Sequence, residues 1–123
     1  MFKFLLLIVL GISSLVANEI EATPYTLVTQ EITKGKPLMV EVGSTSCHAC
    51  QEMGKLLYNH MQQKPQSKIF FVNIGKEREA AKTFKIQLIP TQIFYDAQGK
   101  EVERHIGGLS KEELEVLLAK YGI

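Results

Sequence analysis

The chain is 123 residues long, room for one domain, and its 14 Lys and Arg nearly balance 13 Asp and Glu, leaving a net charge of +1. So even a balance argues against nucleic acid as a partner, because nucleic-acid binding needs a basic face. It gives no reason to expect an anionic membrane surface or a strongly acidic substrate either.

Residues 1–17 read as a secretory signal peptide. Lys3 supplies the charge, residues 4–10 the apolar core, and Ser13, Ser14 and Ala17 the small residues of its end. Cleavage after Ala17 is the simplest expectation, although Leu15 is larger than the residue usual three positions before a cut. The apolar run is short for a permanent membrane span, but left uncleaved it would anchor the chain. No cysteine follows it, so a lipid anchor is not expected. Removing 17 of the 123 residues leaves 106, with 13 basic and 13 acidic groups and no net charge.

Residues 18–24 are polar and short, a linker. Residues 25–28 have the composition of a short edge strand, and residues 29–34 of one or two helical turns ended by Gly35, Lys36 and Pro37. Residues 38–43 form a buried strand, with a loop at 44–46. A helix then runs from Cys47 to about Gln63, its stripe of Met53, Leu56, Leu57 and Met61 recurring at helical spacing, and Pro65 stops it. Residues 67–74 form the next strand, and the near-continuous apolar run of Ile69, Phe70, Phe71, Val72 and Ile74 suits a central strand covered on both faces. A charged helix at 76–84 and a connector at 86–90 follow. Residues 91–95 and 101–106 form a hairpin about a turn at 96–99. Ser110 and Glu113 form a capping box, Leu109 and Leu114 a hydrophobic staple, and the final helix carries the stripe Leu114, Leu117, Leu118, Tyr121. An early parallel crossover followed by a hairpin gives a mixed sheet with helices on both faces.

The chemistry concentrates at Cys47-His48-Ala49-Cys50, which holds both cysteines of the chain. The pair lies where a strand hands over to a helix. A helix N-terminus carries unpaired N–H groups and partial positive charge, which favours an anion there; the Cys47 thiolate is that anion. Export places the pair in an oxidising compartment. Two cysteines so close make a poor structural staple, since the loop they close constrains little of the unfolded chain. Redox work is therefore the first reading and metal binding the second. Soft Cu(I) suits Cys47, Cys50 and His48, whereas structural zinc lacks a fourth ligand nearby.

Three separated features then carry a resemblance. The first is the strand–Cys-x-x-Cys–helix passage over residues 40–53. The second is the run from Ala81 through Phe84, Ile86 and Leu88 to Ile89-Pro90-Thr91. The third is the ending from Asp96 and Gly99 through Ile106-Gly107-Gly108-Leu109 into the last helix. Across residues 25–121 the chain resembles the thioredoxin family. The resemblance implies an α/β thioredoxin fold over residues 25–123, a central mixed sheet of four to five strands flanked by helices on both faces. It implies a cis Ile89–Pro90 bond facing the cysteines, with Ile89, Pro90 and Thr91 binding an extended substrate segment by strand addition. It also implies a buried acid at Glu41, whose raised pKa suits it to exchange a proton with Cys50. Departures are equally plain. Tryptophan is absent, Gly43 and Ser46 stand where the family usually has aromatics, His48 and Ala49 lie between the cysteines, and Phe71 replaces a lysine that in some members neighbours the acid.

The expected reaction is thiol–disulfide exchange with protein thiols and disulfides. Cys47 attacks, and Cys50, one turn on, resolves the mixed disulfide. His48 either favours the thiolate as a nearby cation or is a plain exposed histidine. His60 reads as a satisfied core or boundary residue, and His105 as solvated near a strand end. Ile89 before the proline and the absence of a helical insertion resemble the family's reducing members. The expectation is a monomeric, exported, periplasmic reductant, needing no cofactor or metal beyond its own cysteine pair and recharged by a membrane electron donor. A copper-binding protein or metallochaperone on the same fold is the alternative.

Overall fold

A computed structural model describes residues 18–123. The signal-peptide reading of residues 1–17 lies outside the described residues. Four helices and four strands follow in chain order: α1 (Tyr25–Ile32), β1 (Leu38–Gly43), α2 (His48–Gln63), β2 (Ile69–Asn73), α3 (Arg78–Thr83), β3 (Thr91–Tyr95), β4 (Glu101–Ile106) and α4 (Lys111–Tyr121). The sheet order is β2-β1-β3-β4. β1 runs parallel to β2 and antiparallel to β3, and β3 pairs antiparallel with β4. The central β1 is buried along its whole length.

Side-chain alternation along β1 divides the core in two. Leu38, Val40 and Val42 point to one face, where they pack with Val28 of α1 and Ala80 of α3. Met39 points to the other, against Met53 and Leu57 of α2 and Leu114 and Leu118 of α4. Helices therefore cover both faces of a mixed sheet, as expected. The capping box at Ser110 and Glu113 is present, and α4 ends on Gly122 in the left-handed conformation.

The first segment differs from expectation. Residues 25–28 open helix α1 instead of forming an edge strand. Their β-branched and aromatic composition favours a strand locally, but Tyr25, Val28 and Ile32 at helical spacing bury one stripe against the sheet. Tertiary burial outweighs so weak a propensity. Residues 18–24, polar as a linker should be, instead lie along the domain. The Ile20 N–H donates to the Gly54 carbonyl at 3.0 Å and the Thr23 N–H to that of Phe71 at 2.8 Å. Ala22 forms a single parallel bridge with Phe71, covering the outer edge of β2. Among the described residues, no helix is long and apolar enough to cross a membrane.

Candidate active site

Cys47 is the N-cap of α2, held in extended backbone at the end of the β1–α2 loop. Its Sγ accepts a hydrogen bond from the Cys50 N–H at 3.3 Å, one of the N–H groups that a helix start leaves without a partner. A thiolate strengthens such a bond, because its acceptor is then charged. Cys47 is partly exposed and Cys50 is buried, and the two thiols are unlinked. His48 and Ala49 lie on the exposed first turn between them.

The place of Cys50 depends on Gly43. A Cβ at position 43 would stand 2.9 Å from the Cys50 Sγ and 3.2 Å from its Cβ. Gly43 therefore lets the first turn of α2 sit directly on the end of β1. Burial pushes the Cys50 thiol up to about 12. The Cys47 sulfur and the Glu41 charge push the same way, and a backbone hydrogen bond from Ser44 opposes them.

Glu41 lies in the middle of β1, only 1% exposed, on the sheet face that packs against α2 and α4. Phe71 stands directly opposite it on β2, where the family sometimes has a lysine, so no cation from that strand offsets its burial. Desolvation raises its carboxyl to about 8, opposed only by a hydrogen bond from Gln92. The Gln92 Nε2 donates to Glu41 Oε1 at 3.0 Å.

The Ile89–Pro90 bond is cis. Pro90 and Thr91 are buried and Ile89 is partly exposed. The Thr91 hydroxyl donates to the Leu88 carbonyl at 2.6 Å, and the Gly107 N–H donates to the Pro90 carbonyl at 2.8 Å. Beside Cys47, an open hollow of about 460 Å³ is lined by residues that include His48, Glu52, Leu56, Gly108 and Leu109. His60 is buried and bonded to the Ser67 hydroxyl at 3.2 Å, the satisfied core residue expected. Among the described residues, no group of three or more His, Cys, Asp and Glu is placed to hold a metal ion.

Two residues of this neighbourhood escape a reading of the sequence. Gln92 is fully buried beside Glu41. His105, expected to be solvated, is half-buried with Nδ1 2.7 Å from the Gln92 Oε1. The available signal was Gln92 itself, a long polar residue inside the apolar strand TQIFY, on the same face as Phe94.

A family model described as a thioredoxin-like domain matches residues 28–122. A thioredoxin of Mycoplasmoides gallisepticum is 28% identical over 72% of this chain and 88% of its own length. A bifunctional thioredoxin reductase/thioredoxin of Mycobacterium leprae is 26% identical over 77% of this chain but only 21% of its own length. The crystal structure of a thioredoxin from Nicotiana alata superimposes with a TM-score of 0.72 at 24% identity, covering 89% of this chain and 97% of that one. A family match across three quarters of the chain, on the sheet and helix order described above, makes this protein a member of the thioredoxin family of thiol–disulfide oxidoreductases.

Proposed function

We propose that the chain is an exported, monomeric reductant of protein disulfides that works through Cys47 and Cys50. The observation that carries the reading is the asymmetry of the pair: a partly exposed Cys47 sulfur on the helix N-cap, and a buried Cys50 close enough to Glu41 to feel its charge. Burial makes Cys50 hold its proton far more tightly than Glu41 does, so at rest it does not compete as a nucleophile.

In the reductive direction, the Cys47 thiolate attacks one sulfur of a client disulfide. The client S–S bond breaks, a mixed disulfide forms, and the departing client thiolate takes a proton. Cys47 is then neutral, which removes one of the influences holding the proton on Cys50. Glu41, raised to about 8 and so acting in its ionised fraction, accepts that proton while Cys50 attacks the Cys47 sulfur. The Cys47–Cys50 disulfide closes as the bond between Cys47 and the client breaks, and the second client sulfur leaves as a thiolate that takes the proton Glu41 has just accepted, so two electrons and two protons have passed to the client. Glu41, Cys47 and Cys50 do the chemistry. Ile89, Pro90 and Thr91 offer a backbone edge to an extended client segment, and exposed His48 borders the hollow where that segment would lie.

Resemblance to the reducing members, through Ile89 and the lack of an inserted helix, supports the direction. The leader-like composition of residues 1–17 supports export to the periplasm. Export in turn separates the pair from cytoplasmic reductants and calls for a membrane electron donor. That one relative joins a thioredoxin to a reductase supports recharging by a dedicated partner.

The test is the reduction potential of the Cys47–Cys50 couple, measured by equilibration with dithiol and glutathione buffers and trapping of free thiols. A value near about −270 mV is expected, and one near about −120 mV would reverse the direction. Thiols that resist alkylation until a bound metal is stripped would instead favour the copper-binding alternative.

A further inference from the structure

Glu41, Gln92 and His105 stand directly opposite one another on β1, β3 and β4, so their side chains share one face of the sheet and form a rung across three strands. The hydrogen bonds follow the rung. Gln92 Nε2 lies 3.0 Å and 3.4 Å from the two Glu41 oxygens, and Gln92 Oε1 lies 2.7 Å from His105 Nδ1. Its direction is dictated by chemistry. In its ionised form the Glu41 carboxylate only accepts, so in that state the Gln92 –NH2 faces Glu41 and its carbonyl faces outward, where His105 Nδ1 carries the hydrogen that meets it. Gln92 is fully buried, so with His105 in place the amide is oriented by the protein and not by solvent.

We infer that Gln92 and His105 are positioning residues for proton transfer at Glu41: His105 holds the Gln92 amide with its –NH2 toward the carboxyl, and so sets how readily that carboxyl exchanges a proton with Cys50. The inference rests on the exchange reading above and extends it to a residue on the far strand. Gln92 is the one contact that favours the ionised form of Glu41 against its burial. Losing the bond, or letting the amide turn its carbonyl to the carboxylate, makes Glu41 a poorer acid. The groups facing the rung are few. Cys50 of α2 feels the charge of Glu41 at its inner end. Around the outer end, Glu103 of β4 and Glu112 and Glu113 of α4 share a shallow hollow with His105.

The experiment is an NMR titration of the Glu41 carboxyl in the full chain with both thiols reduced, comparing Gln92→Met, His105→Phe and His105→Gln. Gln92→Met should move the Glu41 midpoint up by about one pH unit, the worth of one hydrogen bond to a charged group. His105→Phe should move it the same way, and His105→Gln, which restores an N–H donor, should move it back. The pH profile for resolution of the mixed disulfide should shift to alkaline in step. A Glu41 midpoint indifferent to His105→Phe overturns the inference. If the buried Gln92→Met fails to fold, the two substitutions on the half-buried β4 position decide alone. The titration needs no activity. A chain without a reversible thiol couple would sink the exchange reading, while an unmoved titration would sink this one with exchange intact.

Discussion

At the scale of single residues, Glu41 and Gly43 carry the sharpest consequences. The Glu41 carboxyl has an ordinary value of 4.5 and is raised to about 8 in the folded chain. Below 4.5 both states hold the proton. Between 4.5 and about 8 the folded protein keeps a proton that the unfolded chain has released, so stability falls as pH rises through this window. At about 1.4 kcal/mol per pH unit, the loss is on the order of 5 kcal/mol once pH exceeds 8. His60, whose pKa burial lowers from 6.5, has the opposite effect, adding stability as pH climbs toward that value. Glu41→Gln should therefore be near neutral for stability at pH 5 and stabilising by about 3–5 kcal/mol at pH 9. Urea midpoints at the two pH values check it, and an unchanged slope would place the titration elsewhere. Gly43→Ala acts by volume. Its methyl meets the Cys50 sulfur at 2.9 Å, so the start of α2 must move or Cys50 must turn away. A loss of about 1–3 kcal/mol and accumulation of the Cys47 mixed disulfide are expected, read by urea melts and by trapping with a disulfide-bonded peptide.

Among the elements, α4 gives the cleanest test. Ser110 accepts from the Glu113 N–H at 3.1 Å, and the Glu113 carboxylate accepts from the Ser110 N–H at 3.4 Å. Ser110→Ala removes one half of this box and should cost about 1 kcal/mol. The loss should appear in the urea midpoint without a change in m-value, because the surface exposed on unfolding stays the same. A fall in m would mean that α4 detaches by itself. The neighbouring β4 shows how a half-exposed strand carries specific contacts. The Arg104 guanidinium donates to the carbonyls of Phe84 and Lys85, 2.8 and 3.1 Å away, tying the end of α3 to the hairpin just before Ile89 and Pro90. The α1 segment teaches the converse. Tyr25 to Val28 has strand composition, yet its helical stripe decides, since one buried Val contributes about 1.5–3 kcal/mol and strand propensity spans only about 1.

For the whole molecule, the proposed export makes a direct prediction. Fractionation of expressing cells should recover the protein outside the cytoplasm, shortened by 17 residues with Asn18 at its start. An intact chain in the membrane fraction would mean that residues 1–17 remain as an anchor. Either way the domain begins promptly, because Asn18 already bonds the Tyr58 hydroxyl at 3.2 Å and Ile20 bonds Gly54.

The amino-acid sequence alone determined the order of most elements, the layering of helices on both faces of the sheet and the site's centre. These depend on local signals: the periodicity of α2 and α4, the alternation of β1, the capping box, and a Cys-x-x-Cys at a strand-to-helix junction. It also placed Glu41 inside an apolar strand, which suffices to raise a carboxyl, while only the family resemblance put Phe71 beside it. The surroundings of Glu41 were decided only in three dimensions. Counted back from the Tyr95–Glu101 pair without interruption, the hairpin would set Arg104 opposite Gln92. A bulge between Phe94 and Tyr95 shifts the register by one and delivers His105 instead. Because side chains alternate faces, that single residue exchanges a guanidinium for an imidazole at the end of the rung. No local pattern announces such a bulge, so the link from Glu41 through Gln92 to His105 exists only once three strands, distant in sequence, have paired.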